Sequence, residues 1–317
     1  MRSAIPTLTA IAAFTACPTL AQQSLDRPAE IQIVKTANAE IAYYEIGNPE
    51  GKPVVFVHGL PFSSYIWRNV MTGLDRQIFR LIAVDLVGFG DSSGDGYGVT
   101  DQAAHLASFA DALDLSDIIA VGHDWGAGIA LVWAAQNAED FAGFATMEGA
   151  MPPVYPRPTY DEMPERIAGL FRAMRDPGLG EENVLNGNLW LDRIMPTMTE
   201  KPMPEAVVAE YNRPFPKPES RQPILEMSRS LPIGGAPADV VATYSAAVTW
   251  WTTTDLPKLV LYAEPGRLYP EDLARWNEDN AKNVTLTNIG PGRHALQEED
   301  PQAVADGLGD WLATLDN

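Results

Sequence analysis

Between the apolar run Ile118–Val121 and a helical pattern that begins at Gly126 stands the pentapeptide Gly122-His123-Asp124-Trp125-Gly126. No other stretch limits the fold as tightly. A strand that turns straight into a helix within a few residues needs backbone that no Cβ obstructs, which glycines on either side of the turn supply. Such a turn lifts its central side chain above the end of a sheet. It also aims the free N–H groups and the positive end of the following helix at that side chain. The pattern is the G-x-nucleophile-x-G elbow, with Asp124 where serine is usual. An aspartate that merely caps the helix is the plainer reading, but it leaves the flanking glycines without a purpose.

The surrounding sequence supplies strands and helices in alternation. Residues 31–47 read as a hairpin turning at Ala37-Asn38, and Val54–Val57, Leu81–Val84, Ile118–Val121 and Phe141–Met147 read as buried strands. Asp101 is expected to cap a helix whose apolar positions Ala104, Leu106, Phe109, Ala110 and Leu113 have helical spacing. Apolar strands alternating with helices imply an α/β class, a mostly parallel sheet with helices on both faces. From 150 to 245 the rhythm breaks into a Pro- and Met-rich, patchily helical stretch. Strands resume at Lys258–Tyr262 and Val284–Thr287, before a last helix from Pro301 to Leu315. The expected organisation is a core of residues 22–150 and 246–317 with a helical cap, 151–245, inserted into it.

Residues 1–23 carry Arg2 as their only charge, then an apolar stretch from Ile5 to Leu20, then small and polar residues. This reads as an export signal, residues 1–21, cleaved after Ala21, which places the mature chain in the periplasm or outside the cell. A lipoprotein signal ending at Cys17 competes with it, although Pro18 follows that cysteine directly; a plain disordered tail is the third reading. The stretch is too short and too interrupted by Thr and Pro for a membrane helix, so no membrane insertion of the mature chain is expected. Cleavage after Ala21 removes the chain's one cysteine, which suits an oxidising compartment. The 317 residues carry 22 Lys and Arg against 42 Asp and Glu, a net charge of −20. That balance excludes nucleic acid as a partner, since nothing neutralises phosphates. With one Cys, four His and no ligand spacing among them, no metal is expected.

An ionised Asp at the elbow has its own chemistry. A carboxylate attacking an sp3 carbon displaces a leaving group and forms an alkyl ester. Water must then cleave that ester, which calls for a general base and an oxyanion hole. His294, in Gly290-Pro291-Gly292-Arg293-His294 beyond the last strand, is the candidate base. Two carboxylates could orient it: Glu148 after Phe141–Met147, which is favoured, and Glu264 after Leu259–Tyr262. Backbone N–H groups of Trp125 and Leu60 are candidates for the oxyanion hole. His123 is read as packing, His58 as shaping the oxyanion loop, and His105 as a helix residue outside the site.

With these residues in place the chain resembles the haloalkane dehalogenases of the α/β-hydrolase fold, from about Ile31 to Leu312. The resemblance rests on HGLPFSSYIWRNV (58–70), DLVGFGDS (85–92), GHDWGAGIALVWA (122–134), MEGAMP (147–152), LPIGGAPADVV (231–241), AEPG (263–266) and IGPGRHALQEEDP (289–301). It implies Asp124 as nucleophile, His294 as base and Glu148 as acid, as in the subfamily whose acid follows the sixth strand. It implies a small apolar halogenated substrate, a halide product, no cofactor and a helical cap over an apolar pocket. A cofactor-free luciferase belongs to the same branch, so fold alone does not set the substrate.

One position departs from the family. Its members hold the leaving halide with two N–H donors: the tryptophan after the nucleophile, here Trp125, and an Asn side chain where this chain has Leu60, or a cap tryptophan in another subfamily. Losing one preorganised donor to a developing anion costs about 3 kcal/mol. Either a cap residue substitutes, Trp190 being the first candidate, or turnover is slow and restricted to good leaving groups. Two rival functions remain at this stage. An epoxide hydrolase shares the Asp–His pair but needs two cap tyrosines, for which Tyr155, Tyr160, Tyr211 and Tyr244 are available. A non-catalytic ligand-binding protein on the same fold is the other.

Overall fold

A computed structural model describes residues 23–315 of the chain. The expected signal segment and Cys17 therefore lie outside the described residues. A short hairpin, β1 (Gln32–Lys35) and β2 (Ala39–Gly47), leads into β3 (Lys52–Val57). There follow α1 (Arg68–Thr72), β4 (Phe79–Val84), the two-residue β5 (Ser93–Gly94), α2 (Val99–Ala112), β6 (Ile118–His123), α3 (Trp125–Gln136) and β7 (Phe141–Met147). Three helices come next, α4 (Glu165–Arg175), α5 (Glu205–Asn212) and α6 (Gln222–Arg229), then the long α7 (Ala238–Thr253). The chain closes with β8 (Lys258–Pro265), α8 (Glu271–Asn280), β9 (Val284–Gly292), α9 (Leu296–Glu299) and α10 (Pro301–Leu312).

The sheet runs β1-β2-β4-β3-β6-β7-β8-β9, with β5 paired to the edge of β2. β1, β2 and β5 are joined antiparallel, and every pairing from β4 to β9 is parallel. Parallel strands with helical crossovers are covered on both faces, and neighbouring residues of β7 show it. Successive strand side chains point to opposite faces. The Phe144 ring lies 5.2 Å from that of Trp251 in α7, while a Cβ on Gly143 would lie 3.0 Å from Trp311 in α10. The two helices therefore pack on opposite sides. α3 is buried from Trp125 to Ala134 and packs between the sheet, α2 and α7. Its near-uniform Ala/Gly/Leu/Val character reflects that burial on every side.

Three sequence readings shift. Asp101 does not cap α2; it lies in the first turn, and Gly98 occupies the cap position. Gly98 has no side chain to offer, so the Val99 N–H donates instead to Ser230 Oγ of the inserted segment, at 3.2 Å. β8 and β9 run further than expected, because their ends pair with each other at Glu264–Pro291 and Pro265–Gly292. The seam placed between 245 and 246 falls in the middle of α7. That helix is continuous and packs along α3, and its Tyr244 hydroxyl donates to the carbonyl of Ala150. Its packing puts it with the core, so the inserted unit ends before Ala238.

A buried ion pair within the core also anchors the cap, through Tyr211. Arg68 presents Nη1 and Nη2 to the two oxygens of Glu298 at 2.5 and 2.9 Å, and each side chain is 1% exposed. Tyr211 of α5 donates to the same carboxylate, and the Arg68 guanidinium sits 3.9 Å from the Tyr65 ring centroid. Two buried charges are tolerated because they pair through two parallel bonds and Arg68 also donates to the carbonyls of Ser24 and Tyr65. No helix among the described residues is long and apolar enough to cross a membrane.

Candidate active site

The loops after β3, β6, β7 and β9 converge at the carboxyl ends of the strands, where open α/β sheets bind ligands. Asp124 follows β6 directly with φ 52° and ψ −125°, a conformation that non-glycine residues rarely adopt and that marks functional turns. The turn is this tight because two neighbouring backbones nearly touch it. A Cβ on Gly126 would stand 2.3 Å from the His58 carbonyl oxygen, and one on Gly59 would stand 2.4 Å from Asp124 Cβ. Both positions exclude any larger residue. The Asp124 carbonyl is fixed in turn by the N–H groups of Ala127 at 3.2 Å and Ala150 at 2.8 Å.

This close approach delivers a donor to the nucleophile. The Leu60 N–H donates to Asp124 Oδ2 at 2.9 Å, and the Trp125 N–H also favours the ionised carboxylate. The other oxygen, Oδ1, faces His294 Nε2 at 3.6 Å, too far for a hydrogen bond. Oδ2 is thus held by the Leu60 N–H, while Oδ1 faces His294.

His294 is oriented from behind. Its Nδ1 lies 3.0 Å from Glu148 Oε2, an arrangement in which Nδ1–H donates and Nε2 is left with a free lone pair. Glu148 is fully buried, and its carboxylate accepts from three successive backbone N–H groups: Arg267 at 3.1 Å, Leu268 at 2.8 Å and Tyr269 at 3.2 Å. These three come from the loop after β8, which turns at Gly266 with φ +64°. Glu264, the other candidate acid, is exposed and accepts from the Glu271 N–H, remote from the histidine.

The remaining histidines are structural. His123 is buried and its Nε2 pairs with the His294 carbonyl at 2.8 Å. His58 Nε2 accepts from the Leu86 N–H at 3.0 Å, which ties the loop after β3 to the loop after β4. His105 pairs with the Asp95 carbonyl on the far side of α2.

A cavity of about 310 Å³ opens above the aspartate, bounded by core and cap. Asp124, Trp125 and His294 form its floor, and Trp190, Phe171 and Met198 of the cap close over them. Trp190 begins a wide, π-type helical turn, Trp190–Ile194, a geometry that recurs at functional sites. Its indole Nε1 is buried without a hydrogen-bond partner. Leu60 contributes backbone only. Of the four tyrosines available for epoxide chemistry, only Tyr155 lines the cavity. The Tyr211 hydroxyl is taken by Glu298, that of Tyr244 by the Ala150 carbonyl, and that of Tyr160 accepts from Arg175. Two charged residues of the cavity had no part in the sequence reading: Arg157 and Arg267. The only sequence signal for Arg267 is its position directly after the AEPG turn.

The fold and this constellation define an α/β hydrolase with aspartate at the elbow, and residues 52–301 match the α/β hydrolase fold family. Over 282 residues the chain is 35% identical to a haloalkane dehalogenase of Mesorhizobium japonicum, covering 87% of this chain and 88% of that protein. A haloalkane dehalogenase of Agrobacterium fabrum is likewise 35% identical over 274 residues, 86% of this chain and 88% of its own. The crystal structure of haloalkane dehalogenase DbeA from Bradyrhizobium elkani superposes with a TM-score of 0.85 at 32% identity, covering 90% of this chain and 98% of that one. The chain belongs to the haloalkane dehalogenase family.

Burial sets the working range of the nucleophile. Removing Asp124 from water pushes its carboxyl pKa up to about 6, although His294 and the Trp125 and Leu60 N–H groups favour the charged form. Only the ionised form attacks carbon. The rate of the first halide burst therefore rises with pH through about 6 and falls below it. Rapid-mixing measurement of that burst from about pH 5 to about pH 8 checks this.

Proposed function

We infer that this protein hydrolyses haloalkanes to the alcohol, a halide ion and a proton, through an alkyl ester on Asp124. The observation that carries the reading is a buried carboxylate at the floor of a largely apolar cavity, with one oxygen held by the Leu60 N–H and a Glu-oriented histidine beside the other. In the first step Asp124 Oδ1 attacks the carbon that bears the halogen, and the C–X bond breaks with its electron pair leaving on the halide. In the second, His294 Nε2 removes a proton from a water molecule as it attacks Asp124 Cγ. Negative charge then collects on Oδ2, where the Leu60 N–H already points. Collapse of that oxyanion breaks the Cγ–Oδ1 bond; the departing alkoxide takes the proton back from His294 and leaves as the alcohol, and the Asp124 carboxyl releases one proton to restore the carboxylate. Glu148 holds the tautomer of His294 and balances the imidazolium that forms. An epoxide hydrolase is disfavoured, since one cap tyrosine rather than two reaches the cavity.

The two steps separate in a His294→Phe variant. It should release about one equivalent of bromide per enzyme from 1-bromobutane and then stop, with the butyl adduct on Asp124 visible by mass spectrometry. Wild type should turn over continuously. Steady turnover by the variant counts against the assignment of His294.

The leaving halide needs donors in place of the side chain that Leu60 does not offer. We assign the second donor to Trp190, whose indole N–H is buried, unpaired and in the cavity wall beside Trp125. A buried donor with no partner is unfavourable unless a ligand supplies the acceptor. Trp190→Phe should lower the burst rate about a hundredfold, and adding Leu60→Asn should recover part of the loss. An unaltered burst in Trp190→Phe excludes the assignment.

We read residues 1–21 as an export signal and the working enzyme as periplasmic or secreted, on the apolar, nearly uncharged sequence that ends at Thr19-Leu20-Ala21. N-terminal sequencing of protein recovered from a Gram-negative host should begin at Gln22. A chain still carrying Met1 would rule the signal out.

A further inference from the structure

The cavity that holds the nucleophile is not apolar at both ends. Its floor is buried, with Asp124 at 4% and His294 at 2% exposure. Its outer end carries two guanidinium groups, that of the exposed Arg267 and that of the half-buried Arg157. Arg267 uses a single nitrogen on protein, Nη1, which donates to Thr197 Oγ1 at 3.0 Å and to the Thr197 carbonyl at 3.3 Å. That contact crosses from the loop after β8 to the cap and leaves the other two nitrogens free. Arg157 donates from Nη1 to the Glu162 carbonyl at 3.3 Å and lies over the Tyr155 ring, 5.8 Å from its centroid, while its Nε is buried without a partner. Among the described residues neither arginine has a carboxylate within ion-pair distance, whereas eight others do. The charges nearest Arg267 are Asp124 and Glu148, both committed to catalysis, and the like charges of Arg166 and Arg293.

A halogenated chain with no charge gains nothing from two unpaired cations at the entrance. An anion does, since guanidinium groups bind carboxylates through paired, charge-assisted hydrogen bonds. It also needs them here, because a net charge of −20 repels an approaching anion everywhere else. We propose that the substrates are haloalkanoates, haloalkanes carrying a carboxylate at the end remote from the halogen. Arg267, with Arg157 beside it, holds the carboxylate at the mouth while the halogenated carbon reaches Asp124. The proposal rests on the dehalogenation reading and narrows its substrate class. The chemistry balances as before: the haloalkanoate and water give the hydroxyalkanoate, a halide ion and a proton. Electrons move only with the halide and the attacking oxygens.

The test compares 6-bromohexanoate with its methyl ester, which has the same reacting end and no charge. In wild type the carboxylate should exceed the ester at least tenfold in kcat/KM. Arg267→Leu should reduce that ratio about tenfold, mainly through KM, and Arg267→Lys should restore part of it. Equal kcat/KM for the two substrates in wild type overturns the proposal. So does a loss in Arg267→Leu that is common to both substrates and comes with a changed bromide inhibition constant, which assigns the arginines to halide release instead. A second measurement stands apart from turnover. Hexanoate and hexanol are titrated into Asp124→Asn, which cannot form the ester. Hexanoate should bind at least tenfold more tightly than hexanol, and Arg267→Leu in that background should abolish the difference; equal affinities overturn the proposal. If no bromoalkane releases bromide from wild type, the dehalogenation reading fails by itself, and the titration still decides what the mouth recognises.

Discussion

The active end of the molecule depends on one close approach: the backbone of the elbow against the backbone of the loop after β3. Gly126 lies under the His58 carbonyl and Gly59 beside Asp124, each at a separation that a Cβ would close to less than 2.5 Å. Contact at that distance carries the Leu60 N–H to Asp124 Oδ2 and holds Asp124 in a strained conformation, its side chain above the sheet. The strain is sustained by the packing around it, with β6 flanked by β3 and β7 and α3 buried on all sides. Loosening any of these would let the turn relax and take the oxyanion donor with it.

A second constraint follows from burial. The floor of the cavity is buried, which raises the Asp124 pKa but also strengthens each interaction made there. Fixed dipoles offset that cost. Backbone N–H groups face Asp124 and Glu148, and a histidine is anchored at Nδ1 with Nε2 left open. The same burial explains why the unpaired Trp190 indole in the cap and the Arg267 guanidinium, with two nitrogens uncommitted, point to ligands: a polar group left alone in such a place is costly unless something occupies it in use.

The parts of the fold that were legible are those in which local pattern and burial agree. β7 has the bounds its apolar run predicts, and the elbow is visible because its glycines answer a local steric demand. Where the sequence misleads, a distant partner is responsible. Asp101 looks like a cap because it is acidic and near a helix start, yet the N–H of Val99 is met by Ser230, 131 residues away. The break in rhythm near 245 looks like a seam because α7 begins among cap residues, but its Tyr244 and Trp251 face α3 and β7. The cluster of N–H groups around Glu148 was hidden because backbone donors have no residue type to betray them.

The sequence alone determined the class of chemistry. An acid at a strand–helix elbow, a histidine after the last strand and an acid after β7 specify a carboxylate nucleophile with a hydrolytic second step, because each role needs a particular functional group at the end of a particular strand. The tertiary structure decided what surrounds that chemistry. Cavity shape, the unpaired indole of Trp190 and the two arginines at the entrance depend on how the cap folds over the core. Those are relations between residues far apart in the chain, set by packing and by which polar groups find partners, and residue order does not encode them locally.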